Sequence, residues 1–392
     1  IFIPLTANNP MITGLFECDN FGTAASVNPS VTISGTLSIC GNVSLSTGTN
    51  ISGDGAMVLL GSNTSGSGLF DVAGNASIAC LSVQSDYTAT GSLNISTVLA
   101  LDGGNFDATN ATVTLESGVG FTAYFDDFSL AGGNYTGNMT SEQLISNGPG
   151  EDQHFVTSPM NNSPMSELGD DVSAFGINGL YGTDGVAVTV DDCTAPSLVE
   201  TSNYGNVFEY DESLVVGCEL DGWVVRSAGT MQNGRGYSAY LSSGSTIDFT
   251  GTPVTGTVGS ASLSNTTTGI GTGGWHLLGN PYPSPMNVDA VTSNAGLTSP
   301  QYFVNAGVYT GSYQPYAPSQ TVAIGQGFVA QSNGSASFNS SNTDRVASSN
   351  PVWYSVEDWF TSKLEIEVLA NGFGDRTVLY YSEDNTAAFD VR

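Results

Sequence analysis

Short alternating segments of hydrophobic and polar residues dominate the first third of the chain. Val43–Gly61 and Leu99–Gly118 both consist of short strands of period two that are broken at Gly, Asn or Asp, and they start 56 residues apart. That distance corresponds to about three turns of roughly 19 residues each. A single turn cannot bury its own hydrophobic side, whereas stacked turns can. The pattern therefore predicts a β-solenoid over residues 1–145, with a β-sandwich of regular short strands as the alternative.

Longer strands that carry aromatic residues follow in the middle of the chain. Examples are Val207–Tyr210, Gly222–Arg226, Arg235–Leu241 and Gln301–Val304. Strands of this kind pack with one hydrophobic face per sheet. We therefore expect an antiparallel β-sandwich, jelly-roll-like, over residues 146–350.

Two segments with clean alternation of hydrophobic and polar residues end the chain. Lys363–Leu369 and Arg376–Ser382 flank Asn371–Asp375, which has the composition of a hairpin turn. They predict a terminal β-hairpin within residues 351–392. The predicted fold class is thus all-β, a solenoid-like stack followed by an antiparallel sandwich.

Charge is distributed unevenly along this chain of 392 residues. It has 36 Asp and Glu residues against six Lys and Arg, a net charge of −30, and its first cation is Arg226. Nucleic acids and anionic lipids bind through cations, so the composition argues against both as partners. A solvated surface suited to a saline medium accounts for the acidity. Binding of Ca²⁺ is the alternative, although the chain has no EF-hand loop.

An extracellular setting would permit disulfides among the cysteines. The five cysteines are Cys18, Cys40, Cys80, Cys193 and Cys218. Cys193 and Cys218 flank an acidic segment and are the predicted disulfide pair, and the odd number leaves at least one thiol free or paired between chains. The spacings of 22 and 40 residues among the first three are consistent with an inward-facing column, and Cys40 and Cys80 are interpreted as small buried residues in an apolar stack.

Motifs for catalysis are missing from the sequence. The two histidines, His154 and His276, both lie inside apolar strands, and there is no His-Glu-x-x-His, Gly-x-Ser-x-Gly or Cys-x-x-Cys. We therefore expect no catalytic, cofactor-binding or metal-binding residues. Two acids that face one cleft would suffice for glycoside hydrolysis, but adjacent acids on a strand point to opposite faces. The adjacent acidic pairs are Asp126–Asp127, Asp170–Asp171, Asp191–Asp192 and Asp211–Glu212.

One of the six cationic residues has an unusual local sequence. Arg235 lies between two glycines and beside Tyr237. It could contact a ligand, or it could pair with an acid or stack on an aromatic ring. The sequence favours the structural pairing.

One segment combines an apolar strand with a turn made rigid by proline. Gly273–Pro285 reads Gly-Gly-Trp-His-Leu-Leu-Gly-Asn-Pro-Tyr-Pro-Ser-Pro, and its prolines fix φ and end the strand. Gly234–Tyr240 and Ile247–Thr252 precede it, and Ile324–Val329 follows it. Together these segments resemble the large surface proteins that Bacteroidota export through the type IX secretion system. That family includes adhesins, filament subunits and enzyme-bearing proteins.

The resemblance extends to two further segments. Asp152–Met160 resembles the strand that opens the second region of those proteins, with Gln153 in place of a tryptophan. The final hairpin resembles the strands that precede the sorting domain. The resemblance implies an exported protein of the cell surface or the extracellular space.

The first functional hypothesis is a non-enzymatic structural or adhesive protein, a segment or subunit of a surface fibre or adhesin. Its expected partners are further copies of the chain or other surface proteins. No apolar run is long enough for membrane insertion. The chain begins with Ile-Phe-Ile-Pro, as a processed product would. Ile1, Phe2 and Ile3 could add as a strand to a neighbouring molecule.

Two alternative functions involve carbohydrates. In a carbohydrate-binding module, Tyr309, Tyr313 and Tyr316, which cluster in one short segment, would stack on sugar rings. These tyrosines would otherwise cover the edge of the sandwich. A polysaccharide-active β-solenoid enzyme would instead use one of the acidic pairs.

Overall fold

The protein is described here by a computed structural model that is almost entirely β. It describes side chains and backbone over most of residues 11–348, and backbone alone in two strands near the end. The described ranges are 11–23, 28–61, 67–129, 133–145, 151–174, 177–188, 205–215, 222–242, 244–266, 273–304, 312–348, 362–370 and 373–381.

Sixteen strands form the N-terminal part. They are β1 (Met11–Ile12), β2 (Leu15–Cys18), β3 (Phe21–Gly22), β4 (Ser30–Ile33), β5 (Thr36–Ile39), β6 (Val43–Ser46), β7 (Thr49–Ser52), β8 (Ala56–Leu59), β9 (Gly68–Val83), β10 (Tyr87–Leu101), β11 (Asn105–Leu115), β12 (Ser117–Gly118), β13 (Phe121–Thr122), β14 (Tyr124–Asp126), β15 (Asn134–Thr136) and β16 (Met139–Leu144).

These strands build a β-solenoid of about five turns, as the repeat pattern predicted. One face pairs β1, β4, β7 and the middle of β9, a second pairs β2, β5, β8 and the end of β9, and a third pairs β3, β6 and the start of β9. All of these pairs are parallel. The long strands β9 and β10 pass from face to face, with register shifts at the corners.

Hydrophobic side chains stack in columns inside the solenoid. One column follows the register from Leu37 to Met57, Leu81, Leu99 and Phe125, and all five are fully buried. Each turn covers the apolar side of the turn before it, which is the physical reason that the repeat is stable only as a stack.

The predicted column of cysteines is wrong. Cys18 pairs in register with Ile39, one position before Cys40, and its column continues through Leu59 and Val83. Cys40 and Cys80 are only half-buried, and none of the three forms a disulfide. The spacing misled because solenoid turns differ in length by a few residues, and a shift of one residue along a strand reverses the side to which a side chain points.

Seventeen further strands and one short helix follow in the described part of the chain. They are β17 (Glu151–Val156), β18 (Ser173–Ala174), β19 (Ile177–Asn178), β20 (Val207–Tyr210), β21 (Trp223–Val225), β22 (Tyr237–Ser242), β23 (Thr246–Gly251), β24 (Val258–Leu263), β25 (Trp275–Gly279), β26 (Met286–Asn287), α1 (Asp289–Ser293), β27 (Leu297–Val304), β28 (Ser312–Pro315), β29 (Thr321–Val322), β30 (Gly327–Ser332), β31 (Ala336–Ser340), β32 (Ser362–Ala370) and β33 (Phe373–Tyr381). The described residues include 3₁₀ segments at Met165–Leu168, Glu212–Leu214 and Asn342–Asp344.

Two antiparallel sheets of four strands form the centre of this part, in agreement with the prediction of antiparallel sheets. Their strand orders are β17-β22-β20-β21 and β25-β30-β27-β28. Phe155 and Tyr210 of the first sheet and Leu277 and Val329 of the second belong to one hydrophobic cluster. The two sheets therefore pack together through an aromatic core, in which the rings of Phe155 and Phe303 lie 5.3 Å apart.

The solenoid is joined to this part by a continuous sheet. Strand β16 pairs in parallel with β11 on one side and antiparallel with β23 on the other, over six residue pairs from Met139–Gly251 to Leu144–Thr246. We call the β16–β23 pairing the seam. It covers the outer edge of β16, so the sheet does not end at that strand in unpaired backbone groups. One hydrophobic cluster runs across it, from Cys18 to Ala323.

The predicted terminal hairpin is present in the backbone. Strands β32 and β33 pair antiparallel from Ser362–Tyr381 to Ala370–Phe373. The two residues between them, Asn371 and Gly372, lie outside the described residues. Within the described part of the chain, no helix is both long and apolar enough to cross a membrane.

Candidate functional site

The proline-rich turn after β25 is held by one buried amide. Asn280 is fully buried, and its Nδ2 donates to the carbonyl oxygens of Ser284, Val322 and Ala323 at 2.8, 3.2 and 3.1 Å. Its Oδ1 accepts from the backbone N–H of Tyr282 at 3.1 Å. The asparagine thus satisfies buried backbone groups of the turn itself and of the segment at the end of β29. Its role is structural.

This turn contacts the last full turn of the solenoid through Arg345. The buried guanidinium of Arg345 forms an ion pair with Asp127 and donates to Ser284 Oγ at 2.8 Å and to the carbonyl oxygen of Phe125 at 2.9 Å. Its central carbon lies 4.3 Å from the ring centroid of Phe128. The backbone N–H of Phe125 also donates to the carbonyl oxygen of Pro283 at 2.8 Å. Sequence reasoning missed Arg345 because no local motif marks it.

Most of the acidic pairs that were candidates for catalysis have structural partners. Asp126 accepts the N–H of Ser129 at 2.9 Å in a turn, while Asp127 binds Arg345. Asp211 caps the 3₁₀ segment that follows it by accepting the N–H of Ser213 at 3.0 Å. Asp191–Asp192 lies outside the described residues.

Glu212 fastens the loop between β24 and β25. Its carboxylate accepts from the N–H and Oγ1 of Thr266 at 2.7 and 2.8 Å, from the N–H of Gly274 at 3.0 Å and from Ser264 Oγ at 3.0 Å. Burial alone would raise its pKa, but these donors together hold the pKa of Glu212 below its usual value. The anion is therefore a structural element here.

Acidic side chains also gather at the seam. Glu142 of β16 and Asp248 of β23 face each other directly across the strands. The N–H of Asp248 donates to Asp171 at 3.4 Å, and Glu167 accepts the N–H of Thr250 at 2.8 Å. Burial, followed by the neighbouring carboxylates, raises the pKa of Asp171 to about 7. Burial also raises the pKa values of Asp248 and Glu142.

Neither these acids nor the histidines form a metal centre in the described part of the chain. No group of three or more His, Cys, Asp or Glu side chains there could hold a metal ion. His154 and His276 are buried, and burial lowers the pKa of His154 to about 4. His276 Nε2 lies 2.8 Å from the carbonyl oxygen of Ser264. Both histidines are core residues, which is the role that the sequence favoured.

The structure separates the predicted glycan contacts. Tyr316 is buried at 7 % exposure, with its ring 5.1 Å from that of Tyr302, so its faces cannot stack on a sugar in this conformation. Tyr313 is 43 % exposed and packs against Phe303 at 5.5 Å between ring centroids. Tyr309 lies outside the described residues, as do Cys193, Cys218, Ile1, Phe2 and Ile3.

A polar cleft of about 450 Å³ opens beside Arg235. We call it the Arg235 cleft, and its walls are Asn162, Thr230, Met231, Gln232, Asn233, Arg235 and Gly259. Both ion-paired arginines of the described residues, Arg226 and Arg345, lie elsewhere. The sequence favoured a structural role for Arg235, by pairing with an acid or by stacking on an aromatic ring, and no ion pair of Arg235 with a described carboxylate is present.

Two glycines place Arg235 at this cleft. Gly234 has a φ of 78° in the turn that the N–H of Arg235 closes on the carbonyl oxygen of Gln232 at 3.0 Å. A Cβ on Gly236 would lie 2.4 Å from the carbonyl oxygen of Leu278, so only glycine permits the close approach to β25. The Gly-Arg-Gly sequence thus fixes the backbone that carries the guanidinium.

Comparisons with known proteins assign no family. No protein-family model matches the chain, and neither curated proteins nor solved structures give a significant match. What the chain does must be inferred from its own geometry.

Proposed function

We propose that this chain is a non-enzymatic structural or adhesive protein of the cell surface or extracellular space. The observation that supports the proposal best is the seam, through which β23 joins the sheet of the solenoid, together with the hydrophobic cluster that the solenoid shares with the first four-stranded sheet. A stack joined in this way resists bending between its parts, because any hinge would have to break six residue pairs and expose apolar surface. Rigid elongated β-modules suit a fibre segment or an adhesin stalk.

The chemistry of the acidic residues is consistent with this proposal. Asp127 and Glu212, two of the candidate catalytic acids, are engaged by an arginine and by four donors respectively. A carboxylate that is saturated by structural donors is a poor nucleophile or base. These contacts favour a structural role for them over a polysaccharide-active enzyme.

Negative-stain electron microscopy of the native, cell-associated protein tests the proposal. We expect regular filaments or elongated projections from the surface. A variant that lacks residues 1–6 tests strand addition by Ile1, Phe2 and Ile3, and it should assemble less. Isolated monomeric particles with no association with cells would contradict the structural proposal, and unchanged assembly of the deletion variant would contradict the assembly strand.

A carbohydrate-binding role is the second candidate, and the exposed ring of Tyr313 and the Arg235 cleft favour it. Aromatic rings pack against sugars, and amide and guanidinium groups bond to their polar substituents. Adhesion through glycans would combine this role with the first. A glycan array with the wild-type chain and Tyr313→Ala tests it. Equal binding by both would remove Tyr313 from the glycan contacts.

A further inference from the structure

The Arg235 cleft combines one cation with a largely amide and hydroxyl wall. Asn162, Thr230 and Gln232 are exposed at its rim, and Asn233 is half-buried. Amides both donate and accept hydrogen bonds, as do hydroxyls, whereas the guanidinium only donates. A ligand that matches this wall carries several hydroxyl groups and one negative charge.

The scaffold around Arg235 is fixed before any ligand arrives. Thr157 Oγ1 donates to the carbonyl oxygen of Arg235 at 2.7 Å, and Arg235 forms an antiparallel bridge with Leu278. On the facing wall, the N–H of Met231 donates to the carbonyl oxygen of Ser163 at 2.8 Å, and Asn233 Nδ2 donates to that of Met160 at 3.4 Å. Arg235 is thus anchored to β25, and Met231 and Asn233 are anchored to the segment that follows β17, which limits the entropy that binding would cost.

Arg235 differs in its ion pairing from the other two arginines whose side chains the structure describes. Arg226 pairs with Glu209 and Asp184, and Arg345 pairs with Asp127, but Arg235 forms no ion pair with a described carboxylate. A guanidinium recognises a carboxylate through two parallel N–H···O bonds. In a chain of net charge −30, a cation that forms no ion pair with a described carboxylate is the natural contact for an anion from outside.

We propose that the Arg235 cleft binds an acidic sugar, with the sugar carboxylate on Arg235 and the sugar hydroxyls on Asn162, Gln232 and Asn233. The volume lies within the usual range for pockets that hold a small ligand or a terminal sugar unit. A single guanidinium matches the single charge of a uronic acid, whereas phosphate sites commonly add further cations or a nest of backbone N–H groups. This inference rests on the proposed adhesive function, for which it names the class of glycan.

Calorimetric titration of the purified full-length chain tests the proposal. The ligands are an oligomer of a uronic acid, a neutral hexose oligomer of equal length, and acetate, inorganic phosphate and sulfate as simple anions. We expect the uronic acid oligomer to bind, and the neutral oligomer and the simple anions to bind at least about tenfold more weakly. Binding of the neutral oligomer at equal affinity, or tighter binding of phosphate or sulfate, would overturn the assignment.

Variants then locate the binding. Arg235→Gln should weaken uronate binding about tenfold to a hundredfold, and Arg235→Lys should weaken it less, because it retains the charge but not the planar pair of donors. Arg226→Gln removes the same unit of charge outside the cleft and should bind like wild type. Circular dichroism checks that each variant is folded. Equal affinity of wild type and Arg235→Gln, or no uronate binding at all, would overturn the proposal.

The outcome is separable from that of the microscopy. If the protein forms filaments but binds no uronate, the structural role is supported and the proposed sugar site in the Arg235 cleft is wrong. If the protein binds uronate but forms only isolated particles, the sugar site in the Arg235 cleft is supported and the structural role is contradicted.

Discussion

The guanidinium of Arg345 forms an ion pair with the carboxylate of Asp127, although the two residues lie 218 positions apart in the chain. The side chain of Arg345 is fully buried and that of Asp127 is 10 % exposed. Through this pair the proline-rich turn after β25 is bonded to the final turns of the solenoid. The contact is a second connection between the two parts, besides the seam.

Asp127→Ala should destabilise the protein by about 3–5 kcal/mol, because it leaves the buried charge of Arg345 without its counter-ion. The free energy of unfolding from urea titration measures the effect. Glu209→Ala is the matched control, since it breaks the ion pair between Glu209 and Arg226, which is more exposed. The side chain of Glu209 is 19 % exposed and that of Arg226 is 30 % exposed. It should cost about 0–1 kcal/mol. Equal effects of the two variants would show that the Arg345 pair does not stabilise the connection.

The seam can be tested by covalent cross-linking. Thr140 and Thr250 are directly opposite each other on β16 and β23, and their hydroxyl oxygens lie 2.8 Å apart. Cysteines at both positions should form a disulfide on mild oxidation, because cross-strand neighbours come close to the Cβ separation that a disulfide needs. Peptide mapping by mass spectrometry identifies the linkage.

Thr140→Cys combined with Val119→Cys is the control pair. Val119 is 93 % exposed and does not lie on the seam, so its cysteine should remain unlinked to position 140. Failure of the first pair to link, or equal linking of both pairs, would contradict the β16–β23 register.

The solenoid core predicts a large difference between two apolar truncations. Leu99→Ala removes a fully buried side chain from the column between Leu81 and Phe125 and should cost about 2–5 kcal/mol. Val119→Ala, at an exposed position, should change stability by less than about 0.5 kcal/mol. Urea unfolding of both variants measures the difference. A loss of less than about 1 kcal/mol for Leu99→Ala would contradict the packed column.

The sequence predicted the solenoid well because its signal is local and repeated. Alternation within Val43–Gly61 and Leu99–Gly118 reports directly which residues face the core. The expected column of cysteines was wrong because the register between strands depends on the lengths of the turns. Cys18 pairs with Ile39 and not with Cys40, and this shift by one residue removes Cys40 from the column. The spacing of the cysteines in the sequence does not give the length of each solenoid turn.

The long-range contacts had no such signal. Nothing near Arg345 or Asp127 in the chain indicates that they meet, since that contact depends on where two distant segments pack. The glycines around Arg235 did mark the position, but whether its partner was an acid of this chain or a ligand depended on which carboxylates the fold brought near. Local sequence cannot settle that choice.

The acids at the seam give stability a definite dependence on pH. Burial and the neighbouring carboxylates of Asp248, Asp170 and Glu167 raise the pKa of Asp171 from 3.8 to about 7 in the folded protein. The folded state therefore holds the proton more tightly than the unfolded state does. The stabilisation from this proton is fully present below about pH 4 and is lost as the pH rises to about 7.

Burial also raises the pKa values of Asp248 and Glu142, so these groups act in the same direction. The carboxylates that face Asp171 are those of Asp248 on β23 and of its neighbours Asp170 and Glu167, with Glu142 opposite Asp248 on β16. No arginine ion pair among the described residues involves this group. The repulsion at neutral pH is thus not offset by a salt bridge to any described side chain.

Asp171→Asn should accordingly raise the melting temperature at about pH 8 and flatten its rise between about pH 8 and about pH 5.5. Asparagine retains an oxygen that can accept the N–H of Asp248 but carries no charge. Asp54→Asn, at an exposed turn of the solenoid, removes the same charge and should leave the pH profile unchanged. Differential scanning calorimetry across this range compares the three proteins. An unchanged profile for Asp171→Asn relative to wild type would show that Asp171 does not take up a proton in the folded protein within this range and is not the source of the dependence.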